Sequence, residues 1–253
     1  MLSTVHQKYI SELPVGPYPK RYEGLDSQSV DVNQLPNAVV TGANLIQFPP
    51  ASTPDLKSSV ALSLLAAQRV ASNDNVVQTP DQWLQRHNAV LENLNWLQEG
   101  SGFVNSQFAS INVAVHEAII PFLAAAFGPA AAAGALILTA LKQLQEMDKS
   151  SPWITLFEQQ SRRFNISEYQ FSVVQVTGSH VQVKVASARF DASYGGTQVL
   201  FFKIKQEHAA FQSASGTYST EADLLTAMSP ALKAKLATFT ESFVKSLPDN
   251  LLG

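Results

Sequence analysis

A histidine followed by a glutamate is how a zinc-metalloprotease helix opens, and His116-Glu117 presents that pair. The chemistry needs a second histidine one helical turn later, so that two imidazoles bind zinc while the glutamate serves as general base. The fourth residue after His116 is Ile120, so the second ligand is missing and His116 is expected to be structural. His180 and His208 fall on or beside predicted strands without a third ligand or a carboxylate in a shared motif, and Glu207-His208 is no stronger. An acyl-transfer serine would sit in a Gly-x-Ser-x-Gly turn between strand and helix. Neither Gly100-Ser101-Gly102 nor Gly216-Thr217-Tyr218-Ser219 has that spacing. Gly195-Gly196 lacks the following lysine and helix start of a phosphate cradle, and Asn165-Ile166-Ser167 fits a glycosylation acceptor with no entry signal beside it. The acids are spread too thinly to nominate a catalytic pair. We therefore expect no catalytic residue, no metal ligand and no cofactor: a protein that is not an enzyme.

Composition narrows the partners. With 17 Lys and Arg against 20 Asp and Glu the net charge is −3, and the only adjacent basic pairs are Lys20-Arg21 and Arg162-Arg163. Phosphate binding needs a clustered basic face, so nucleic acid is not an expected partner. Charged residues make up 15% of the chain, below the usual ~25%, which points to large buried or self-associating surfaces and to a homo-oligomer. There is no cysteine, hence no disulfide framework or thiolate site. The N-terminal MLSTVHQKYISELPVG has no basic segment leading into an apolar one, as a signal peptide would. We expect synthesis in the cytoplasm, with any release by a non-classical route.

The strongest feature is a run without charge, Ile119 to Leu141 (IIPFLAAAFGPAAAAGALILTAL). As one straight helix it would extend about 34 Å, enough for a bilayer core of ~30 Å. Its Leu, Ile and Phe residues favour insertion by roughly 3–5 kcal/mol in total. Pro121, Gly128, Pro129 and Gly134 oppose a straight span, and Gly128-Pro129 is the natural point of reversal. Each arm then covers about half a bilayer, so the run is expected to be a helical hairpin. Either it is the central hairpin of a core, where alanines let helices approach closely, or it is packed away and released at a membrane. In the second case Ile119, Ile120, Phe122, Leu123, Phe127, Gly128, Pro129, Gly134, Leu136, Ile137 and Leu138 are the insertion candidates. In composition the run is similar to the apolar tongue of α-pore-forming toxins, over about 25 residues and without a fixed motif. The long coiled-coil helices of those toxins have no counterpart here, and no family is assigned.

The elements around this run follow from periodicity. Six prolines fall within residues 1–53, which reads as an extended arm with short β-like pieces at Asn37–Thr41 and Asn44–Phe48. The arm is expected to wrap the domain or to pair with a neighbouring subunit's sheet edge. Residues 54–166 form a helical region. One helix opens at Pro54-Asp55; another opens at Thr79-Pro80-Asp81-Gln82 and carries its apolar face through Leu97 to Gly100. The hairpin follows, then a helix from Ser151-Pro152 to near Arg163. Trp83, Trp96 and Trp153 are expected to anchor helices in the core. Residues 167–253 alternate: Tyr169–Val176, Val181–Val185, Thr197–Gln206 and His208–Tyr218 read as strands, before helices at Thr220–Met228 and Pro230–Leu247.

The fold class expected is α+β: a helical layer of about five or six helices, then a small antiparallel β-meander and a C-terminal helix, sharing one core. The function expected is non-enzymatic action through a lipid membrane, pore-forming or toxin-like, with the apolar hairpin as the inserting element. The alternative is a structural or self-assembling protein that uses its N-terminal arm for subunit contacts.

Overall fold

The computed structural model describes residues 4–16, 30–73, 79–100, 102–108, 112–163, 166–191, 199–205 and 210–247. Its elements in chain order begin with α1 (Thr4–Glu12), β1 (Ala38–Thr41), β2 (Asn44–Gln47), α2 (Pro54–Ala71), α3 (Pro80–Asn93), β3 (Leu97–Gly100) and β4 (Val104–Gln107). The central helices are α4 (Val115–Ala118), α5 (Ile120–Phe127), α6 (Ala135–Gln143) and α7 (Pro152–Ser161). The chain closes with β5 (Arg162–Arg163), β6 (Ile166–Thr177), β7 (His180–Asp191), β8 (Ala210–Glu221), α8 (Ala222–Phe243) and β9 (Val244–Ser246).

Local signals account for the helix ends. Thr53 caps α2 by accepting from Leu56 N–H, and Thr79 with Gln82 forms a full capping box on α3. Helix α3 stops earlier than its apolar periodicity suggests. Asn95 takes φ +62°, Asn95 N–H donates to Glu92 O and Trp96 N–H to Leu91 O, the double closure that satisfies a helix's last carbonyls. Leu97, expected on the helix, therefore lies on β3 with its side chain exposed. At the other end of the chain, Pro230 removes one backbone donor without breaking α8, so two expected helices are one.

The expected α+β layout with a small antiparallel meander is incorrect. The described strands form one large mixed sheet of nine, in the order β3-β8-β7-β6-β2-β1-β9, with β4 also on β8 and β5 on β6, in a mixed α/β architecture. Strands β6, β7 and β8 pair antiparallel along most of their length, as sequential strands do. The sheet is larger because residues 38–47, read as part of an arm, supply β1 and β2. Strand β2 joins β6 in parallel, Leu45 beside Phe171, and β1 then pairs with both β2 and β9. Every residue of β1 and β2 is buried, so this part of the chain is interior. The expected third strand is also replaced: Val199–Phe201 is a 3-10 turn, and the residues after it pair with 112–115 through Asn112 N–H to Ile204 O and Val115 N–H to Phe202 O. Thr197, Gln198 and Gln206 of that strand lie outside the described residues.

Helices cover both faces of the sheet. On β6, Tyr169, Phe171 and Val173 face one side, where the Phe157 ring of α7 meets Tyr169 at 5.2 Å and Phe171 at 5.6 Å. Glu168, Gln170 and Ser172 face the other side, and register places Glu168 beside Arg189 and Gln170 beside Ser187. Helix α3 closes this second side, and α2 packs on α3 and α8. Arg189 Nε donates to Glu168 at 2.7 Å, while its Nη atoms reach Asp81 at 3.0 Å and Pro80 O at 3.3 Å. The Phe103 ring lies 3.3 Å from the guanidinium carbon. A strand, the start of a helix and the β3–β4 turn are thus held by one planar cation with five donors.

Removing the cation leaves Glu168 buried and unpaired. Arg189→Met is expected to cost about 3–5 kcal/mol in urea unfolding, and adding Glu168→Leu should restore much of that loss. Equal midpoints for Arg189→Met and the parent would show that the pair holds nothing together.

Candidate functional site

The uncharged run forms an outer helical layer over the aromatic side of the sheet. Helices α5 and α6 are joined by a 3-10 turn, Gly128–Ala130, and by residues 131–134. The reversal falls where the sequence places it: Gly128 takes φ +54° and ψ −126°, a conformation open to glycine and costly for other residues. Ile119, Leu123, Phe127 and Ile137 are fully buried, and Gly134 is buried close to β6, where a Cβ would come 3.0 Å from Val173 Cγ2 and 3.1 Å from Phe127 Cδ2. Ile120, Phe122, Leu136 and Leu138 are half-buried against the same core, and Gly128 and Pro129 are exposed. The structure brings all eleven insertion candidates into this one layer. Five of them are buried in the core and six are half-buried or exposed, so the hairpin lies at the edge of the core with its inner residues inside it.

The outward face is unusual for a surface layer. Its exposed residues are Pro121, Ala125, Gly128, Pro129, Ala132, Ala135 and Thr139, and no charge occurs between Glu117 and Lys142. A surface helix normally alternates a buried apolar stripe with a charged one. Here the buried stripe is Leu, Ile and Phe, and the outer one is small and uncharged.

Side chains from outside the two helices bond to backbone groups near their ends. Lys184 of β7 donates from Nζ to Phe127 O at 3.0 Å, at the C-terminal end of α5 where a cation also opposes the helix dipole. Gln47 of β2 accepts at Oε1 from Ile137 N–H at 3.1 Å, in the first turn of α6. His116 of α4 donates from Nδ1 to Leu141 O at 2.7 Å, in the last turn of α6. Beneath α5 lies an aromatic floor: Phe211 stacks on Phe108 at 4.5 Å and on Phe190 at 5.7 Å, and meets Phe122 edge-on at 5.8 Å.

The other residues singled out in the sequence do not converge. His180 pairs with Glu221 at 3.5 Å on the surface, with both side chains half-exposed. His208, Glu207, Ser101, Gly195, Gly196 and Asn165 lie outside the described residues. No group of three or more potential metal ligands occurs among the described residues. Trp83 and Trp153 are buried on α3 and α7, and Trp96 is buried in the turn after α3 rather than on a helix.

Two polar clusters were not visible in the sequence. Glu158 of α7 is buried and accepts from Val199 N–H at 3.1 Å, Leu200 N–H at 3.0 Å and the Tyr169 hydroxyl. Burial raises its pKa, and burial together with the Glu158 charge raises that of Tyr169. On the opposite side of the sheet a cavity of about 30 Å³ is lined by Leu84, Phe103, Gln170, Ser187, Gly216 and Tyr218, room for little more than a water or two. The Tyr218 hydroxyl donates to Asn88 Oδ1 at 2.9 Å, and burial lifts its pKa beyond the titration range of proteins. The signal in the sequence was faint: Glu168, Gln170 and Ser172 alternate with apolar residues, as a solvent-facing strand would show.

No family model matches the sequence, and no curated protein matches it. Among solved structures, a delta-endotoxin aligns over 83% of this chain and 94% of its own, at 13% identity and a TM-score of 0.36. A structure described as that of the Evf virulence factor aligns over 88% of each chain, at 12% identity and a TM-score of 0.31. Likenesses at these scores assign neither fold nor function. Among the described residues, no helix is long and apolar enough to cross a membrane.

The turn between the helices is the most demanding backbone position of the layer. Gly128→Ala is expected to lower stability by about 1–3 kcal/mol in urea titration, while Pro129→Ala, which leaves the positive φ to glycine, should cost less.

Proposed function

We propose that this protein is a non-enzymatic, membrane-acting factor of pore-forming or toxin-like type, with the hairpin Ile119–Leu141 as its inserting element. One observation supports the reading above others: the hairpin lies outside the sheet and carries no charge on its outer face as well as its inner one. The inner residues Ile119, Leu123, Phe127, Ile137 and Leu141 each gain roughly 1.5–3 kcal/mol by leaving water. A bilayer returns that gain when the sheet gives it up, so the transfer from sheet to lipid is close to balanced.

Dimensions favour insertion along the membrane surface over spanning. Helices α5 and α6, of 8 and 9 residues, extend only about 12 and 14 Å against an apolar core of ~30 Å. Arms of that length lie in the interface, with the apolar stripe turned toward the acyl chains. Departure of the hairpin uncovers Phe108, Phe190 and Phe211, a surface that lipid or further copies of the chain must cover. A homo-oligomer at the membrane completes the proposal.

Dye release from phosphatidylcholine and phosphatidylserine vesicles tests it. Ala132 is exposed, so Ala132→Asp should leave the urea midpoint unchanged. An aspartate costs about 2.5–3.5 kcal/mol at the bilayer centre and less at the interface, where the turn between the two arms lies, so release should fall by roughly tenfold. Vesicles left intact by the parent protein, or released equally by the variant, would remove the hairpin from the mechanism.

A further inference from the structure

Helix α4 joins the hairpin layer through a single titratable side chain. His116 is wholly buried, with Nδ1 bonded to Leu141 O at 2.7 Å and its ring edge-on to Phe201 at 5.8 Å. Its Nε2 is buried and has no hydrogen-bond partner among the described residues. The ring therefore sits at the junction of three segments: the start of the hairpin layer, the last turn of α6, and the 3-10 turn held by Glu158. In that position the neutral imidazole uses its one donor and leaves the Nε2 lone pair buried without a donor among the described residues. A second proton would place an N–H and a full charge in an apolar slot that offers no acceptor.

We propose that His116 is an acid-sensitive latch on the hairpin layer, closed while the imidazole is neutral and opened by its protonation. This rests on the membrane-acting reading and adds a trigger to it: an acidified compartment or surface. The electrostatic surroundings agree. Burial lowers the His116 pKa first and most, and Lys149, whose ammonium lies 4.5 Å from the Phe201 ring, lowers it further. The bond to Leu141 O and the charge of Glu117 act the other way without overcoming burial. Lys142 at the end of α6 and Lys203 beside Phe202 are exposed to solvent.

The sign follows from linkage. In the open state the ring titrates near its ordinary value of 6.5, and in the closed state below it. Below 6.5 the open state binds more protons, so closure weakens as pH falls from 6.5 to the closed-state pKa and then levels off. Glu158 acts oppositely: its pKa is raised in the closed state, so acid there favours closure. Comparison with a His116 variant separates the two.

Two readouts on the full chain decide the matter: amide hydrogen-exchange protection of residues 119–141 without lipid, and dye release from phosphatidylcholine and phosphatidylserine vesicles. Both are measured at about pH 7.5 and about pH 5.5, either side of ordinary histidine titration. The parent should lose several-fold in protection at the acid pH, with about tenfold as the ceiling one pH unit below ordinary histidine titration. His116→Gln, which keeps a neutral donor for Leu141 O, should not. Equal protection at both pH values in the parent overturns the latch, as does equal loss in parent and variant. Lost protection in the parent alone, without release at either pH, upholds the latch and rejects the membrane reading. Release that is equal at both pH values, with protection unchanged, upholds the membrane reading and rejects the latch. If His116→Gln does not fold, the parent's protection profile decides: a midpoint between 6.5 and 4.5 supports the histidine, and one at or below 4.5 assigns the change to carboxylates and overturns it.

Discussion

Strand β6 has water on neither face over most of its length, and the molecule is arranged around that constraint. Eight consecutive residues, Ser167 to Val174, are buried. A strand buried on both faces needs a layer on each side and a neighbour at each edge. The neighbour on one edge is β7, its hairpin partner. On the other edge it is β2, brought from more than a hundred residues earlier in the chain and set parallel. Helix α7 and the hairpin cover Tyr169, Phe171 and Val173, while α3 stands over Glu168 and Gln170.

The two coverings differ in chemistry. The side under α3 is polar and tightly specified. Arg189 joins Glu168, Asp81 and Pro80, and Tyr218 reaches Asn88, so the position of α3 is set by directional bonds. The side under the hairpin is a floor of aromatic rings, which packs well but directs little. Lys184, Gln47 and His116 orient the hairpin through bonds to backbone groups near its helix ends. Apolar packing is as readily made with lipid as with the sheet, whereas these three bonds are specific to the docked position. That asymmetry is what the proposed function and the proposed histidine latch are built on.

Much of the local structure was legible in the sequence. The starts of α2 and α3 were readable because a cap and a proline act within four residues. The hairpin reversal at Gly128 was readable because the φ it needs belongs to glycine. The uncharged run was readable because composition needs no geometry. The end of α3 was missed because an asparagine took the left-handed position usually marked by glycine. The strand expected near Thr197–Gln206 was missed because an alternating apolar pattern does not say which backbone it will pair with.

Sequence alone thus determined where helices begin, where the chain turns, and that one segment carries no charge, since each depends on neighbours along the chain. Tertiary structure alone decided that residues 38–47 join the sheet, that the polar side of β6 is buried, and that the uncharged hairpin lies outside with His116 at its base. Those outcomes depend on pairing between residues far apart in the chain, and a pattern of alternating residues is the same whether its polar side meets water, Arg189 or a helix.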